Sequence, residues 1–148
     1  MYNGKKNLGF TMIELLIVLA FFGILVTIAI PKWDFSDHHL RTQAKILCNE
    51  IREVRMLRMT EGEDFRIVLS KDFYQVNNGI KQIKRVNLRP EYKLYYNFSE
   101  IKFSYNTGAP TRGDTITIRN TKNKSYMEIT IVPSSGRVLL KDEVLKSR

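Results

Sequence analysis

Gly9-Phe10-Thr11-Met12-Ile13-Glu14 opens an apolar run that continues to Ile30, and the reading of this stretch decides the rest of the chain. Glu14 is the only charged residue between Phe10 and Ile30. At about 1.5 Å per residue, a helix over those positions would be about 31 Å long, the thickness of one bilayer hydrocarbon core. Phe, Ile, Leu and Val dominate the run, so it reads as a membrane helix and not as a short buried one. Lys5 and Lys6 precede it, and Pro31 follows it.

A secretory signal peptide would need a shorter apolar core with a small-residue exit site after it. Here the run is long, and Ile28-Ala29-Ile30-Pro31 makes a poor exit. A small residue precedes a bulky one at Gly9-Phe10 instead, on the basic side. An ordinary signal anchor explains the length but gives no reason for Glu14. A charge inside hydrocarbon is costly and normally has a partner or a function. Glu14 lies four residues after Phe10, one turn on and on the same face. Cutting the chain after Gly9 would give Phe10 a free α-amino group near that carboxylate. The two charges could then neutralise each other within one chain or between adjacent chains.

Gly9-Phe10-Thr11-Met12-Ile13-Glu14, followed by an apolar helix, resembles the type IV prepilin signature, over about the first fifth of the chain. The resemblance implies cleavage between Gly9 and Phe10 by a membrane prepilin peptidase and N-methylation of Phe10. It implies that Glu14 guides docking of a new subunit into a helical filament, at an inner-membrane assembly platform and beside other pilins. Gly23 and Pro31 stand where such pilins often have glycine and proline. The organisation expected is a prepilin leader at 1–9, a transmembrane and filament-core helix at 10–31, and an extracytoplasmic pilin domain at 32–148. Lys5 and Lys6 place the N-terminus in the cytoplasm and the C-terminal domain outside, with a place on a surface filament after assembly.

The chain has 148 residues, a formal net charge of +9 and a hydrophobic fraction of 43%. Loss of Lys5 and Lys6 with the leader would lower the charge to +7. An excess of this size gives solubility and a general affinity for anionic surfaces, DNA among them. The single cysteine, Cys48, excludes an intramolecular disulfide, so packing alone must hold the fold; Cys48 reads as a small core residue.

Past Pro31, Trp33 suits a membrane–water boundary. Ser36 or Asp37 can cap a helix. From about 37 to 61, Leu40, Ala44, Leu47, Ile51 and Val54 recur at spacings of three and four, the pattern of an amphipathic helix laid on a sheet. Arg52, Glu53, Arg55 and Arg58 are expected mostly to face solvent, and Gly62 to end the helix. The period then changes to two. Strands are expected over about 64–141, with segments at 65–69, 73–76, 80–86, 92–98, 101–105, 115–119, 126–132 and 137–141. The tail 142–148 is polar and is expected to fray. The fold class is therefore α+β, a long N-terminal helix packed on antiparallel β-sheet.

The order Phe103, Gly108, Pro110, Gly113, Thr115-Ile116-Thr117-Ile118, Ile129-Thr130-Ile131 and Gly136-Arg137-Val138 resembles the H-type pseudopilin subgroup. That subgroup includes the GspH/FimT minor pilins and the ComGD-like competence pseudopilins. Some members resemble DNA receptors and carry Gly-Arg-x-Arg near the C-terminus. Here Leu139 stands where the second arginine would be, and Lys141 follows two residues later. Arg137 and Lys141 are thus the candidate DNA contacts, against a reading in which Gly136 makes a turn and Arg137 is solvated. Lys81-Gln82-Ile83-Lys84-Arg85 is a second basic stretch, but alternation along a strand splits its cations between two faces.

No nucleophile elbow, phosphate-binding loop or metal-ligand spacing is present, so the chain does not read as an enzyme, and neither a metal nor a cofactor is expected. His38 and His39 point about 100° apart on a helix and have no third ligand nearby in sequence. Glu61, Glu63 and Asp64 read as an exposed turn. The function expected is that of a minor pilin or pseudopilin in competence DNA uptake, suggested by a short, disulfide-free chain with a Gly-Arg-Val ending. The rival systems are a type IV pilus and a type II secretion pseudopilus. The rival of another class is a monomeric membrane-anchored binding protein that never assembles.

Overall fold

The computed structural model describes residues 11–29 and 35–146. Gly9, Phe10, Ile30, Pro31 and Trp33 lie outside them. The chain divides between Asp34 and Phe35 into two compact units.

In the first unit, helix α1 spans Met12–Ala29. Its apolar side chains point in every direction: Ile13, Leu16, Phe21 and Phe22 are all more than half exposed. A helix that is apolar all round buries its surface in something other than its own chain. At 18 residues α1 is about 27 Å long, and among the described residues no helix is long and apolar enough to cross a membrane. Both ends of the span expected from the sequence lie outside the described residues.

In the second unit, helix α2 spans Phe35–Glu61. Leu40, Ala44, Leu47, Ile51 and Val54 line one stripe of it and are buried, with Cys48 beside them. Asp37 in the first turn and Arg58 in the last turn match the helix dipole. Gly62 stops the helix with φ of +72°, the left-handed residue that commonly closes a helix.

Nine strands follow among the described residues: β1 Phe65–Leu69, β2 Phe73–Asn78, β3 Lys81–Asn87, β4 Tyr92–Tyr95, β5 Glu100–Lys102, β6 Asp114–Asn120, β7 Ser125–Ile131, β8 Val138–Leu140 and β9 Leu145–Lys146. They build two antiparallel sheets. The first has the order β3-β2-β1-β5. The second has the order β4-β6-β7-β8, with β9 also paired to β7. Helix α2 packs on strands of both sheets, so one apolar core serves the whole unit. Clean alternation in β1, β6 and β7 sends Ile67, Ile116, Ile118, Met127 and Ile129 into that core.

Several strand ends differ from expectation, each for a local reason. The strand expected at 92–98 stops at Tyr95. The buried Asp114 carboxylate accepts the backbone N–H of Asn97 at 3.2 Å and of Phe98 at 3.0 Å, taking donors that would have continued the ladder. The tail does not simply fray: Leu145 and Lys146 pair with Tyr126 and Ser125, and Val144 packs on the core.

Arg52 and Glu53 of α2 are exposed as expected, whereas Arg55 and Arg58 are half-buried, and the three arginines spend donors on backbone carbonyls. Arg52 donates from Nη2 to the carbonyl of Val138 at 2.9 Å. Arg55 donates from Nε to Gly108 at 2.9 Å and from Nη2 to Ser135 at 3.1 Å. Arg58 donates from Nε to Phe103 at 3.1 Å and from Nη1 to Gly62 at 3.1 Å. Spacing of three places them on one stripe beside the apolar one. They reach carbonyls of loops and strand ends that lack ladder donors, satisfying groups that are costly to leave unmade. On the other flank, buried Glu50 takes an ion pair from Lys84 of β3. Burial, and then the Glu50 charge, push the nearby Tyr74 phenol above its usual pKa.

Candidate functional site

Glu14 sits at the first turn of α1. Thr11 Oγ1 accepts the backbone N–H of Glu14 at 3.3 Å, and Glu14 Oε2 accepts the backbone N–H of Thr11 at 3.4 Å. The Thr11 carbonyl takes the N–H of Leu15 at 3.2 Å. This is a reciprocal capping box, Thr-x-x-Glu, which satisfies two orphan donors at a helix start and places a negative charge at the positive end of the dipole. The signal was present in the sequence at Thr11 and Glu14 and is absent from the reading above, which considered Glu14 only as a charge in lipid. Glu14 therefore has one task within its own chain, and its carboxylate remains exposed in α1. Its other expected partner, the amino group of Phe10, lies outside the described residues, as does the Gly9-Phe10 bond.

Arg137 and Lys141 flank strand β8. Gly136 is buried with φ of +63°, and a Cβ there would stand 2.2 Å from the Gly108 carbonyl oxygen. The turn is thus fixed by close backbone approach, and Arg137 projects from it into solvent. The Arg137 guanidinium has no hydrogen bond or ion pair among the described residues. Lys141 is different: its Nζ lies 3.5 Å from Glu128 Oε2. Of the two candidate phosphate contacts, only Arg137 is uncommitted.

The basic stretch at 81–85 occupies β3, the edge strand of the first sheet and its most exposed one. A register shift between Val76 and Asn77 leaves Ile83 as a bulge between Gln82 and Lys84. Lys84 turns to Glu50, while the Arg85 guanidinium stacks 3.8 Å above the Phe73 ring. Charges and a bulge on an edge strand discourage pairing with another chain.

The carboxylates after α2 are tied down one by one. Asp64 Oδ1 lies 3.0 Å from Lys102 Nζ and 3.6 Å from Arg58 Nη1. The Lys102 hydrogen bond holds the Asp64 carboxyl below the usual range. Glu63 accepts from the Asn78 side-chain amide. The His38 and His39 rings sit edge to face, 6.2 Å apart. Cys48 is a buried free thiol whose pKa is raised by desolvation, with the Arg52 charge opposing.

Comparison with known proteins places both parts of this picture. Residues 4–30 match the prokaryotic N-terminal methylation motif. Two fimbrial proteins of Pseudomonas aeruginosa are each 43% identical to the chain over 51 residues. That match covers 34% of this chain and 32% of theirs, so it spans about a third of the length of the relatives. The fold is similar to that of the type IV minor pilin FimU of Pseudomonas aeruginosa, with a TM-score of 0.61 and 13% identity over 76% of this chain and 97% of that one. It is also similar to EpsH, a minor pseudopilin of the type 2 secretion system of Vibrio cholerae, with a TM-score of 0.55 and 12% identity over 69% of this chain and 95% of that one.

Proposed function

We propose that this type IV pilin-like chain is a minor pilin or pseudopilin, a structural subunit of a helical filament. The observation that carries the proposal is the match of residues 4–30 to the N-terminal methylation motif, joined to a unit with the fold of minor pilins. In this reading a prepilin peptidase cuts between Gly9 and Phe10, and Phe10 is methylated. The helix beginning near Phe10 anchors the chain in the membrane with its N-terminus cytoplasmic, and the β-rich unit lies outside. An α1 that is apolar on every side suits lipid first and the packed core of a filament afterwards. The assembly platform and neighbouring pilins are the partners.

Glu14 then has two tasks, and they are separable. As a capping residue it needs an acceptor at the third helical position, which Gln also supplies. As a docking charge for a neighbouring Phe10 amine it needs to be ionised. Glu14→Gln keeps the first task and removes the second; Glu14→Val removes both. In cells with the peptidase, intact mass should show a mature chain beginning at methylated Phe10 for all three proteins. Sheared filaments should contain the wild type and lack both variants. Normal incorporation of Glu14→Gln would show that capping is the whole role. A chain still starting at Met1, or cut near Pro31, would refute the pilin reading.

The favoured system is competence DNA uptake, supported by the lack of a cysteine pair and by Gly136-Arg137-Val138 with an uncommitted Arg137. Contact of Arg137, and of Lys141 if it releases Glu128, with phosphate belongs to this reading. The similarity to FimU and EpsH in fold keeps a type IV pilus and a type II secretion pseudopilus as the second reading. Loss of transformation with normal secretion and surface pili in a deletion strain would select the first.

A further inference from the structure

The outward face of the second sheet carries a feature that filament assembly does not use. Tyr95 of β4, Thr117 and Arg119 of β6, and Tyr126 of β7 line one shallow cavity of about 260 Å³. The register explains why they meet. Tyr95 stands opposite Thr117, and Arg119 stands opposite Tyr126, so the two tyrosines bracket β6 from its two neighbours. Two strand spacings put them about 10 Å apart laterally. Tyr95 is 50% exposed, and the other three are half-buried. Arg119 has no ion pair or side-chain hydrogen bond among the described residues. The acidic side chain on these strands' outward face, Glu128, is engaged by Lys141.

A half-buried guanidinium without a carboxylate calls for an anion from outside the chain. Two phenol rings beside it, open to solvent, offer π-faces for a planar group. We propose that this face binds single-stranded nucleic acid, with Arg119 on a phosphate and Tyr95 and Tyr126 stacked on successive bases. The positive chain favours a polyanion over a neutral glycan, and an open cavity on a sheet lets a linear polymer pass through where an enclosed one would hold a small molecule. The site is separate from Arg137. Tyr126 and Val132 are six residues apart along the chain at β7, about 20 Å of strand, and Arg137 bonds Val132 through its carbonyl at 2.9 Å. The proposal does not depend on the filament reading.

The test uses the full chain in detergent micelles and a fluorescent oligothymidylate of about 15 nucleotides, read by anisotropy. Tyr95→Leu and Tyr126→Leu should each weaken binding roughly 5- to 100-fold, while Tyr126→Phe should stay within about twofold because the ring remains. Arg119→Gln should reduce the slope of log affinity against log salt by about 0.7. Arg137→Ala should leave the fold-loss caused by each tyrosine change as it is in the wild type. Equal competition by inorganic polyphosphate, with no effect of the tyrosine changes, would overturn the proposal in favour of simple charge attraction. So would loss of binding in Arg137→Ala alone, binding of a neutral polysaccharide in place of the oligonucleotide, or no binding at low salt.

Discussion

Replacing Gly136 by alanine isolates the contact that joins the C-terminal turn to the loop around Gly108 and to α2. Gly79 supplies an internal control. Both glycines have positive φ, +63° and +56°. At Gly79 a Cβ would meet nothing within 4 Å, so alanine there pays only the left-handed backbone strain, about 1–2 kcal/mol. At Gly136 a Cβ would stand 2.2 Å from the Gly108 carbonyl oxygen and 3.0 Å from Arg55 Nε. The first obstacle is backbone, so the turn or the loop must move. Movement breaks at least one of the Arg55 bonds to Gly108 and Ser135, and a hydrogen bond to a charged group contributes about 1.5–3 kcal/mol. Gly136→Ala should therefore cost about 3–5 kcal/mol. At about 4 °C per kcal/mol, Tm should fall by about 12–20 °C, against about 4–8 °C for Gly79→Ala. Thermal melts followed by circular dichroism in one detergent check this. Arg55→Ala should cost less in the Gly136→Ala background than alone, because both changes release the same loop. Equal Tm shifts for the two glycine variants, within about 3 °C, would refute the close-approach argument.

Two further outcomes follow from the ion pairs. Lys84→Ala should destabilise the chain by about 2–3 kcal/mol and Glu50→Gln by less, because the first change strands a buried carboxylate whereas the second leaves a half-exposed ammonium free to hydrate; equal losses in thermal melts would contradict this. Asp64→Asn should cost about 0.5 kcal/mol or less at neutral pH, since the pair is substantially exposed. The folded pKa of Asp64 is depressed, so its contribution is present above the unfolded value of about 3.9 and disappears as pH falls through the folded one. Melts of the two proteins should therefore converge as pH falls through the depressed folded pKa, and a gap that widens with acid would reverse the sign.

Local periodicity made the elements legible, and long-range pairing hid their arrangement. Leu40 to Val54 announce one apolar stripe, and alternation through Thr115–Arg119 and Tyr126–Ile131 announces strands, because burial alone sets those patterns. Nothing local says that β5 pairs with β1 while β4 pairs with β6, which is what divides the strands between two sheets. The early stop at Tyr95 depends on Asp114, a residue 19 positions away that a strand pattern treats only as an end. At the N-terminus the reverse holds. The capping box is a four-residue signal, Thr11 to Glu14, yet the cost of a charge in lipid dominates any reading that starts from composition. The cavity at Arg119 needed register: the tyrosines are 31 residues apart in sequence and meet only through β6.

The net charge of +9 illustrates how composition and structure divide an electrostatic argument. Arg41, Arg52, Arg55 and Arg58 spend their donors on carbonyls of their own chain. Arg66, Lys84, Lys93, Lys102 and Lys141 spend theirs on carboxylates. A carbonyl does not neutralise a guanidinium, so the α2 arginines still add to the field that draws an anionic polymer near. They cannot follow it into contact without releasing the sheet. Steering and binding therefore rest on different residues. The field is a property of the whole chain and fades within a Debye length, about 10 Å at 0.1 M salt. Contact rests on side chains with unspent donors, of which Arg119 and Arg137 project from opposite ends of the second sheet. Few released counterions per site follow from that, so the salt slope of any nucleic-acid binding should be shallow, about 0.7 for each phosphate held on a single strand. A slope near the full net charge would mean that the α2 arginines had left their carbonyls.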